Sequence, residues 1–134
     1  MIALDTNVLI YACNKSDQRR QQIALDVIAA ATDGVLLWQV ACEFIAASPK
    51  LKDQGFTPAD AWNRLTELLG VFPLRLPAAT IFPRAQDLHL DEGVSFWDAL
   101  IAAACLEVGV QTVYSEDIPA RDSFGPLKMI NPFV

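Results

Sequence analysis

The sequence predicts an α/β fold in which a mostly parallel sheet of four to five strands is flanked by helices. Two observations support this prediction: short apolar segments suit buried strands, and longer segments of helical periodicity separate most of them. Strands joined by helical crossovers pair in parallel, with helices on both faces of the sheet. A length of 134 residues suits one hydrophobic core and not two, so residues 1–134 are expected to form a single domain.

The first half of the chain is expected to contain two strands and four helices. In order, these are strand Ile2–Leu4, a helix through Val8–Tyr11, helix Asp17–Ala31, strand Val35–Trp38, helix Val40–Ala47 and a helix from Thr57 to Leu69-Gly70. Asp33-Gly34 is expected to end the second helix. Ser48-Pro49 should stop the third, because a residue before proline avoids the helical conformation. Thr57 is an N-cap followed by Pro58 at the first helical position.

The second half is expected to contain two helices and three strands. In order, these are strand Val71–Leu74, helix Ala78–Leu90 with Pro83 early in its length, helix Ser95–Val108, strand Gln111–Tyr114 and strand Leu127–Ile130. Helix Ser95–Val108 has the strongest signal, because Ala99–Leu106 is apolar throughout and Gly109 can end the helix. Such a helix is expected at the centre of the core.

Composition and cysteine content exclude several classes of protein. Apolar residues make up 53% of the chain and the mean hydropathy is +0.29, but the longest apolar stretches fall well short of the roughly 20 residues that span a bilayer. No basic segment precedes an apolar run at the start, so we expect no secretory signal, a cytoplasmic location and no membrane partner. Cys13, Cys42 and Cys105 are odd in number and far apart, which predicts buried thiols rather than disulfides or a zinc site.

The net charge of −6 argues against tight binding to nucleic acid, because phosphate affinity normally comes from lysine and arginine. A cation held by the acidic residues would weaken that objection. The few basic residues gather in two places, one at Lys15, Arg19 and Arg20 and the other at Lys50 and Lys52.

Two acidic residues are expected at the ends of strands. Asp5 closes the first strand, and Asp117 follows strand Gln111–Tyr114. Open α/β sheets bind ligands at this carboxyl edge. Each residue also has a structural alternative: Asp5 can cap the next helix, and Asp117 can belong to a polar turn before Pro119. Glu116 can face the crevice in place of Asp117, and this choice stays open.

Two further acidic residues lie in apolar helices. Glu43 interrupts Val40–Ala47, and a carboxylate on a largely buried helix needs a partner or a cation unless that face reaches solvent. Asp98 fits a capping box with Ser95 as the N-cap, which is a common structural role. It also opens the central helix at the rim of the core, where one carboxylate can act both as cap and as ligand.

Four carboxylates in one crevice would require a cation. Two unit charges about 4 Å apart at an effective dielectric of about 20 repel by about 4 kcal/mol. Oxygen ligands select Mg²⁺ or Mn²⁺ rather than zinc. In supporting roles, Asn7 can orient Asp5 or hold a water, and Ser115 can bind a metal-bound water or a phosphate. His89 is expected to pack at the surface rather than act as a general base, and Asp122 is expected to be solvated.

This pattern resembles the PIN domain, and most closely the VapC-like toxins of prokaryotic toxin–antitoxin pairs. The matching segments are Ala3–Asn7, Gln39–Phe44, Ser95–Ala104, Tyr114–Asp117 and Ile130–Phe133. The resemblance implies an endoribonuclease dependent on Mg²⁺ or Mn²⁺, in which Asp5, Glu43, Asp98 and Asp117 hold the metal directly or through water. It also implies hydrolysis of RNA by a metal-activated water, with 5′-phosphate and 3′-hydroxyl products, a homodimer, and an antitoxin that covers the acidic crevice.

Two other classes of protein remain as alternatives. A two-component receiver domain is an α/β protein of similar length that binds Mg²⁺, but it needs paired acids after the first strand, where this chain has only Asp5. A catalytically inactive interaction domain with the same fold is the third hypothesis. The presence of oxygen ligands at all four positions argues against it.

Overall fold

The computed structural model describes residues 1–119 and 122–134, and within these ranges six α-helices accompany a six-stranded sheet. The strands are β1 (Ile2–Leu4), β2 (Gly34–Leu37), β3 (Leu74–Arg75), β4 (Thr112–Tyr114), β5 (Ser123–Phe124) and β6 (Leu127–Ile130). The α-helices are α1 (Thr6–Cys13), α2 (Gln18–Ala30), α3 (Trp38–Ala47), α4 (Pro58–Val71), α5 (Ile81–Asp91) and α6 (Phe96–Val108). A 3₁₀ helix over Ser48–Gln54 continues directly from α3.

The sheet is mostly parallel, which confirms the fold class predicted from the sequence. The strands lie in the order β3-β2-β1-β4-β6-β5, and β5 is antiparallel to β6 while the other described pairs are parallel. The sheet exceeds the expected four to five strands because β5, a strand of two residues, leaves little trace in the sequence. Leu4 pairs with Tyr114, so the residues that follow β1 and β4 lie side by side.

The strand order also determines where a crevice can form. β1 and β4 are neighbours at the centre of the sheet. From β1 the chain continues to β2 towards one edge, and from β4 it continues to β5 and β6 towards the other edge. Open α/β sheets bind their ligands at such a switch point, beyond the carboxyl ends of the strands. Receiver domains belong to the class with order 2-1-3-4-5, in which the third strand pairs with the first. Here β3 pairs with β2 at the edge, so the described strand order contradicts the receiver hypothesis.

The core packs the two central strands against α1, α3 and α6. Ala3, Val8, Phe44 and Val113 are completely or almost completely buried. In α6, Ala99 to Cys105 lies mainly inside, as predicted for a central helix. Its first turn differs, because Phe96 and Trp97 are exposed.

Local signals in the sequence located most helix starts correctly. Asp17 caps α2 by accepting from the backbone N–H of Arg20, and Thr57 forms a capping box with Asp60 at the start of α4. Gly109 adopts a left-handed conformation with φ of 80° and ends α6. These interactions involve neighbours in the chain, so they can be predicted from sequence alone.

Several predicted boundaries are wrong. Helix α1 begins at Thr6, directly after its cap, and Trp38 belongs to α3 rather than to β2. Ser48-Pro49 ends the α-helical geometry, but the chain continues as a 3₁₀ helix, where proline fits the first turn. The third strand is Leu74–Arg75 because α4 extends through Val71.

Gly34 has a different role from the predicted one. Helix α2 ends at Ala30, before this glycine, and Gly34 begins β2. A Cβ atom at Gly34 would lie 2.5 Å from Cε1 of Phe72, which is buried. The glycine therefore allows the Phe72 ring to pack closely on the strand. Over the described residues, no helix is both long and apolar enough to cross a membrane.

Candidate functional site

Asp5, Glu43, Asp98 and Asp117 line one open cleft of about 840 Å³. The cleft lies beyond the carboxyl ends of β1 and β4, at the switch point of the sheet. Asp5 follows β1 directly, Glu43 projects from α3, Asp98 lies in the first turn of α6, and Asp117 follows β4. Four separate elements thus bring carboxylates to the same surface.

Asp5 is both a helix cap and a member of the cleft. Its Oδ1 accepts a hydrogen bond of 2.8 Å from the backbone N–H of Thr6, which satisfies the first turn of α1. Its Oδ2 accepts one of 2.8 Å from the Ser115 hydroxyl. A carboxylate has about four acceptor positions, so two partners leave acceptor capacity for a ligand. The structural and functional interpretations of Asp5 are therefore compatible.

The environment of Asp5 alters its acidity. Burial raises the pKa of Asp5 above its ordinary value, while the hydrogen bonds from Ser115 and Thr6 lower it. The negative charges of Glu43 and Asp117 raise the pKa further. This mutual repulsion indicates that a cation in the cleft would stabilise the ionised form of Asp5.

Ser115 joins the elements beneath the cleft. It is completely buried, its hydroxyl donates to Asp5, and the same oxygen accepts from Nδ2 of Asn7 at 3.1 Å and from the backbone N–H of Asp117 at 3.1 Å. Ser115 does not line the cleft, so its contacts support a role in orienting Asp5, and the binding of a metal-bound water or a phosphate by Ser115 stays a prediction. Asn7 acts on Asp5 only through Ser115, and its Oδ1 accepts from the backbone N–H of Glu116 at 3.0 Å.

Glu43 is half-buried, and two side chains fix its carboxylate. The hydroxyl of Thr6 donates to Oε2 at 2.8 Å, and Nε2 of Gln39 donates to Oε1 at 2.9 Å. Gln39 lies one helical turn before Glu43 on α3, a spacing that brings side chains together. Both Thr6 and Gln39 were missed as site residues in the sequence. The Gln39 spacing was a usable signal, whereas the Thr6 contact depends on how α1 packs against α3.

Asp98 is half-buried at the start of α6. Its carboxylate accepts from the Ser95 hydroxyl at 2.8 Å, and its backbone N–H donates to the Ser95 hydroxyl at 3.4 Å. The predicted cap by Ser95 is present. The Asp98 carboxylate, however, accepts from the Ser95 hydroxyl, whereas in a capping box it would accept from the Ser95 backbone N–H. An anion at this end of a helix is favoured by the helix dipole. The remaining acceptor positions of Asp98 are available to the cleft.

Glu116 and Asp117 have different environments, which bears on the choice between them. Both carboxylate oxygens of Glu116 have partners. Oε2 accepts a hydrogen bond of 2.6 Å from the Tyr11 hydroxyl, and Oε1 lies 3.3 Å from Nε of Arg20. The hydrogen bond to Glu116 raises the pKa of Tyr11. Asp117 is exposed, and its charge acts on Asp5. This geometry favours Asp117 as the member that faces a ligand.

The basic residues contribute little positive charge to the cleft. Arg20 pairs with Asp17 and Glu116, and Nη2 of Arg19 donates to the backbone carbonyl of Phe133. Among the described residues that line the cleft, Lys50 is the basic one. Asp122 is exposed, as predicted.

The cysteine and histidine residues lie outside this arrangement. Cys13 and Cys105 are buried as predicted, but Cys42 is exposed, so that prediction is wrong for one of the three thiols. Burial, together with the charge of Asp5, raises the pKa of Cys105 to about 12. His89 is exposed, and its Nδ1 lies 2.8 Å from the backbone carbonyl of Val94, which agrees with surface packing.

The chemistry of the cleft suits a hydrated hard cation. Its candidate ligands are oxygen atoms, which Mg²⁺ and Mn²⁺ prefer. Within residues 1–119 and 122–134, no group of three or more His, Cys, Asp or Glu side chains could jointly hold an ion. Mg²⁺ usually keeps several waters and takes only one or two carboxylates, so such a group is not required. Carboxylates without a cation also repel one another, which favours their separation.

Comparison with known proteins relates this geometry to a family. The sequence matches the family model of the PIN domain over residues 2–121. A toxin–antitoxin complex from Klebsiella pneumoniae is similar in structure, with a TM-score of 0.70, 15% identity and coverage of 98% of both chains. VapBC2 from Rickettsia felis, bound to a DNA fragment from its promoter, is similar with a TM-score of 0.70, 20% identity and the same coverage. At these identities the similarity establishes the fold. Curated protein sequences gave no significant match.

Proposed function

The chain belongs to the PIN domain family, and on that premise we propose that it is an endoribonuclease dependent on Mg²⁺ or Mn²⁺ and the toxin of a VapBC-type toxin–antitoxin pair. In this proposal Asp5, Glu43, Asp98 and Asp117 hold the metal, directly or through water. Residues 1–134 act as one nuclease domain. The two solved toxin–antitoxin structures that share the fold support the assignment to such a system.

The observation that carries the proposal is the common cleft of the four carboxylates. They come from β1, α3, α6 and the segment after β4, yet they line one surface at the switch point of the sheet. A role in capping alone explains Asp5 and Asp98. It does not explain why Glu43 is held towards the same cleft by Thr6 and Gln39.

The residues of the chain would orient the reaction mainly by position and charge. A bound Mg²⁺ or Mn²⁺ would acidify water and offset the negative charge that develops on the phosphate. Ser115 and Thr6 fix the orientation of Asp5, and this preorganisation avoids rearrangement during the reaction. The carboxylates repel an RNA phosphate when no cation is present, so RNA binding in the cleft should depend on the metal.

The proposed partners follow from the family and from the cleft. The substrate is RNA, cleaved at a phosphodiester bond, and an antitoxin protein is expected to cover the cleft. A homodimer in the cytoplasm is the expected working form. An antitoxin that inhibits this enzyme must compete for an open, acidic surface, which favours a basic segment in that partner.

Isosteric substitution of the carboxylates tests the proposal. Asp5→Asn and Asp98→Asn should each reduce Mg²⁺-dependent cleavage of RNA by at least about 100-fold, because each removes a charge that helps to hold the cation. Asp87→Asn is the matched control, since Asp87 is an exposed aspartate of α5 away from the cleft. Cleavage should be measured on total RNA and on synthetic single strands.

A binding measurement gives a readout that does not depend on activity. Mg²⁺ should raise the melting temperature of the wild-type protein by binding the folded state, and should do so less in both cleft variants. Full cleavage by both variants would contradict the assignment of the site. A wild-type protein that binds Mg²⁺ but cleaves no RNA when free of antitoxin would favour the inactive interaction domain instead.

A further inference from the structure

Trp97 lies on the border between the acidic cleft and a second cavity. Its side chain is 62% exposed and directly precedes Asp98 at the start of α6. It lines both the acidic cleft and a neighbouring pocket of about 420 Å³. Gln39, which holds Glu43, also lines both cavities. The two cavities are therefore adjacent, and Trp97 and Gln39 lie between them.

The indole ring of Trp97 is supported from one side. The Phe96 ring contacts it edge to face, with centroids 5.0 Å apart and an angle of 68° between the rings. Phe96 in turn packs against His89 at 6.3 Å, and His89 is held at the backbone of Val94. Edge-to-face pairs of this kind orient aromatic rings. An exposed ring is thus held in place beside a candidate ligand of the metal.

The neighbouring pocket combines flat apolar walls with a few polar groups. Trp38, Phe82 and Leu100 contribute apolar surface, whereas Gln39, Arg75 and Glu107 contribute the polar atoms. Its volume lies in the range of small-molecule sites, which are mostly apolar with few oriented polar groups. A nucleobase has matching chemistry, because its faces are apolar and its edge carries donors and acceptors.

The charge of the protein indicates why RNA would need such a pocket. The net charge is −6, and among the described residues that line the acidic cleft Lys50 supplies the positive charge. The release of counterions from phosphates can therefore contribute little to affinity. Stacking of bases on aromatic side chains is a source of affinity for single strands that needs no basic residues.

We propose that Trp97 stacks on an unpaired RNA base next to the scissile phosphate and that the adjoining pocket receives this base. The inference rests on the proposed ribonuclease function and adds to it a binding site for one base that flanks the cleaved bond. Trp97 acts in binding, whereas the carboxylates act in the reaction. Cleavage should depend weakly on salt, because few phosphates are neutralised by lysine or arginine.

The test compares two tryptophans of similar exposure. Trp62 on α4 is 59% exposed and lines neither cavity, so Trp62→Leu is the matched control for Trp97→Leu. In steady-state cleavage of a single-stranded oligonucleotide, Trp97→Leu should raise KM about tenfold or more and leave kcat nearly unchanged. Trp97→Phe should recover part of the loss, because phenylalanine also stacks. Trp62→Leu should behave as the wild type.

An altered substrate identifies the base concerned. Abasic sites are introduced one at a time on either side of the mapped cleavage position. At one position the abasic site should raise KM for the wild type by the same factor as Trp97→Leu, and it should have no further effect on that variant. If the abasic site raises KM by the same factor in the wild type and in Trp97→Leu at every position, the proposal is overturned.

Other outcomes identify other occupants of the pocket and overturn the proposal. If Trp97→Leu converts a dimer to a monomer in analytical ultracentrifugation and leaves KM unchanged, the pocket binds a second copy of the chain. If it weakens only binding of the antitoxin, the pocket binds that protein. If kcat falls while KM is unchanged, Trp97 supports Asp98 instead. Failure of the ribonuclease proposal is distinct, because the wild type would then cleave no RNA or Asp5→Asn would retain cleavage.

Discussion

The two halves of the acidic cleft differ in how firmly their carboxylates are held. Asp5 and Glu43 accept hydrogen bonds from residues on other elements, and Ser115 and Thr6 are 110 and 37 positions away from them in the chain. The carboxylate of Asp98 accepts from Ser95, the N-cap of its own helix, and Asp117 is exposed. The tertiary fold thus orients Asp5 and Glu43, whereas Asp98 is held by a neighbour in the chain and Asp117 is open to solvent.

This difference suggests a division of labour in metal binding. A ligand fixed before the ion arrives loses little conformational entropy on binding, so Asp5 and Glu43 are suited to set the position of the ion. An exposed carboxylate such as Asp117 adds negative charge to the proposed site without a fixed orientation from the fold. We expect the loss of a hydrogen bond that orients Asp5 or Glu43 to have a larger effect than the loss of the charge of the exposed Asp117.

Among the residues that support the carboxylates, the largest effect is expected from Ser115→Ala. The substitution removes the hydroxyl that orients Asp5 and leaves buried partners unsatisfied, so it should reduce cleavage by roughly 10- to 100-fold and stability by about 1–3 kcal/mol. Ser48→Ala is the control, because Ser48 is also buried but its hydroxyl donates to the backbone carbonyl of Ile45 and does not line the cleft. It should lower stability in urea unfolding and leave cleavage intact. Wild-type cleavage by Ser115→Ala would show that Asp5 needs no such support.

A smaller effect is expected from Thr6→Val. Valine keeps the shape and the backbone N–H that donates to the Asp5 cap, but it removes the hydroxyl that holds Glu43. The Mg²⁺ concentration at half-maximal cleavage should rise roughly tenfold, as for other residues that orient metal ligands. Thr66→Val is the control, since its hydroxyl bonds to the backbone of α4 on the exposed surface. Equal Mg²⁺ dependence in both variants would contradict the fixed role of Glu43.

Substitutions of the neighbouring residues Glu116 and Asp117 should have different effects, one on stability and the other on metal binding. Solvent and salt limit an exposed ion pair to about 1 kcal/mol, so Asp117→Asn should weaken Mg²⁺ binding roughly fivefold. Glu116→Gln breaks the contact with Arg20 and weakens that with Tyr11, which should lower the melting temperature by a few degrees. Calorimetry with Mg²⁺ and thermal melting measure the two effects. If Glu116→Gln weakens Mg²⁺ binding and Asp117→Asn does not, Glu116 rather than Asp117 is the fourth ligand.

The smallest effect is a dependence of stability on pH in metal-free buffer. The pKa of Asp5 is raised in the folded state, so the fold binds this proton more readily than the unfolded chain. The contribution of Asp5 to stability is present below its unfolded pKa and is lost as the pH rises through its folded pKa. Asp5→Asn should remove this loss. Urea unfolding of both proteins, from neutral to acid pH, measures the difference, and parallel curves would contradict the raised pKa.

The sequence determined the fold class through signals that act between neighbours. The apolar segments, the caps at Asp17 and Thr57 and the left-handed Gly109 each involve a few adjacent residues, so they are readable without coordinates. The third strand was misplaced because Val71–Leu74 fits a strand or a helix end equally well, and the extension of α4 decided between them. The exposure of Cys42, which was predicted to be buried, likewise depends on how α3 packs.

The sequence by itself also singled out the four acidic residues and the PIN family, because their order and the segments around them are properties of the chain. Only the tertiary structure decided which distant donors hold Asp5 and Glu43, and it did so through Ser115 and Thr6. It also set Glu116 apart from Asp117 and placed Trp97 between two cavities. The physical reason is distance along the chain: these contacts join residues from different strands and helices, and the strand order that brings them together is set by packing of the whole core.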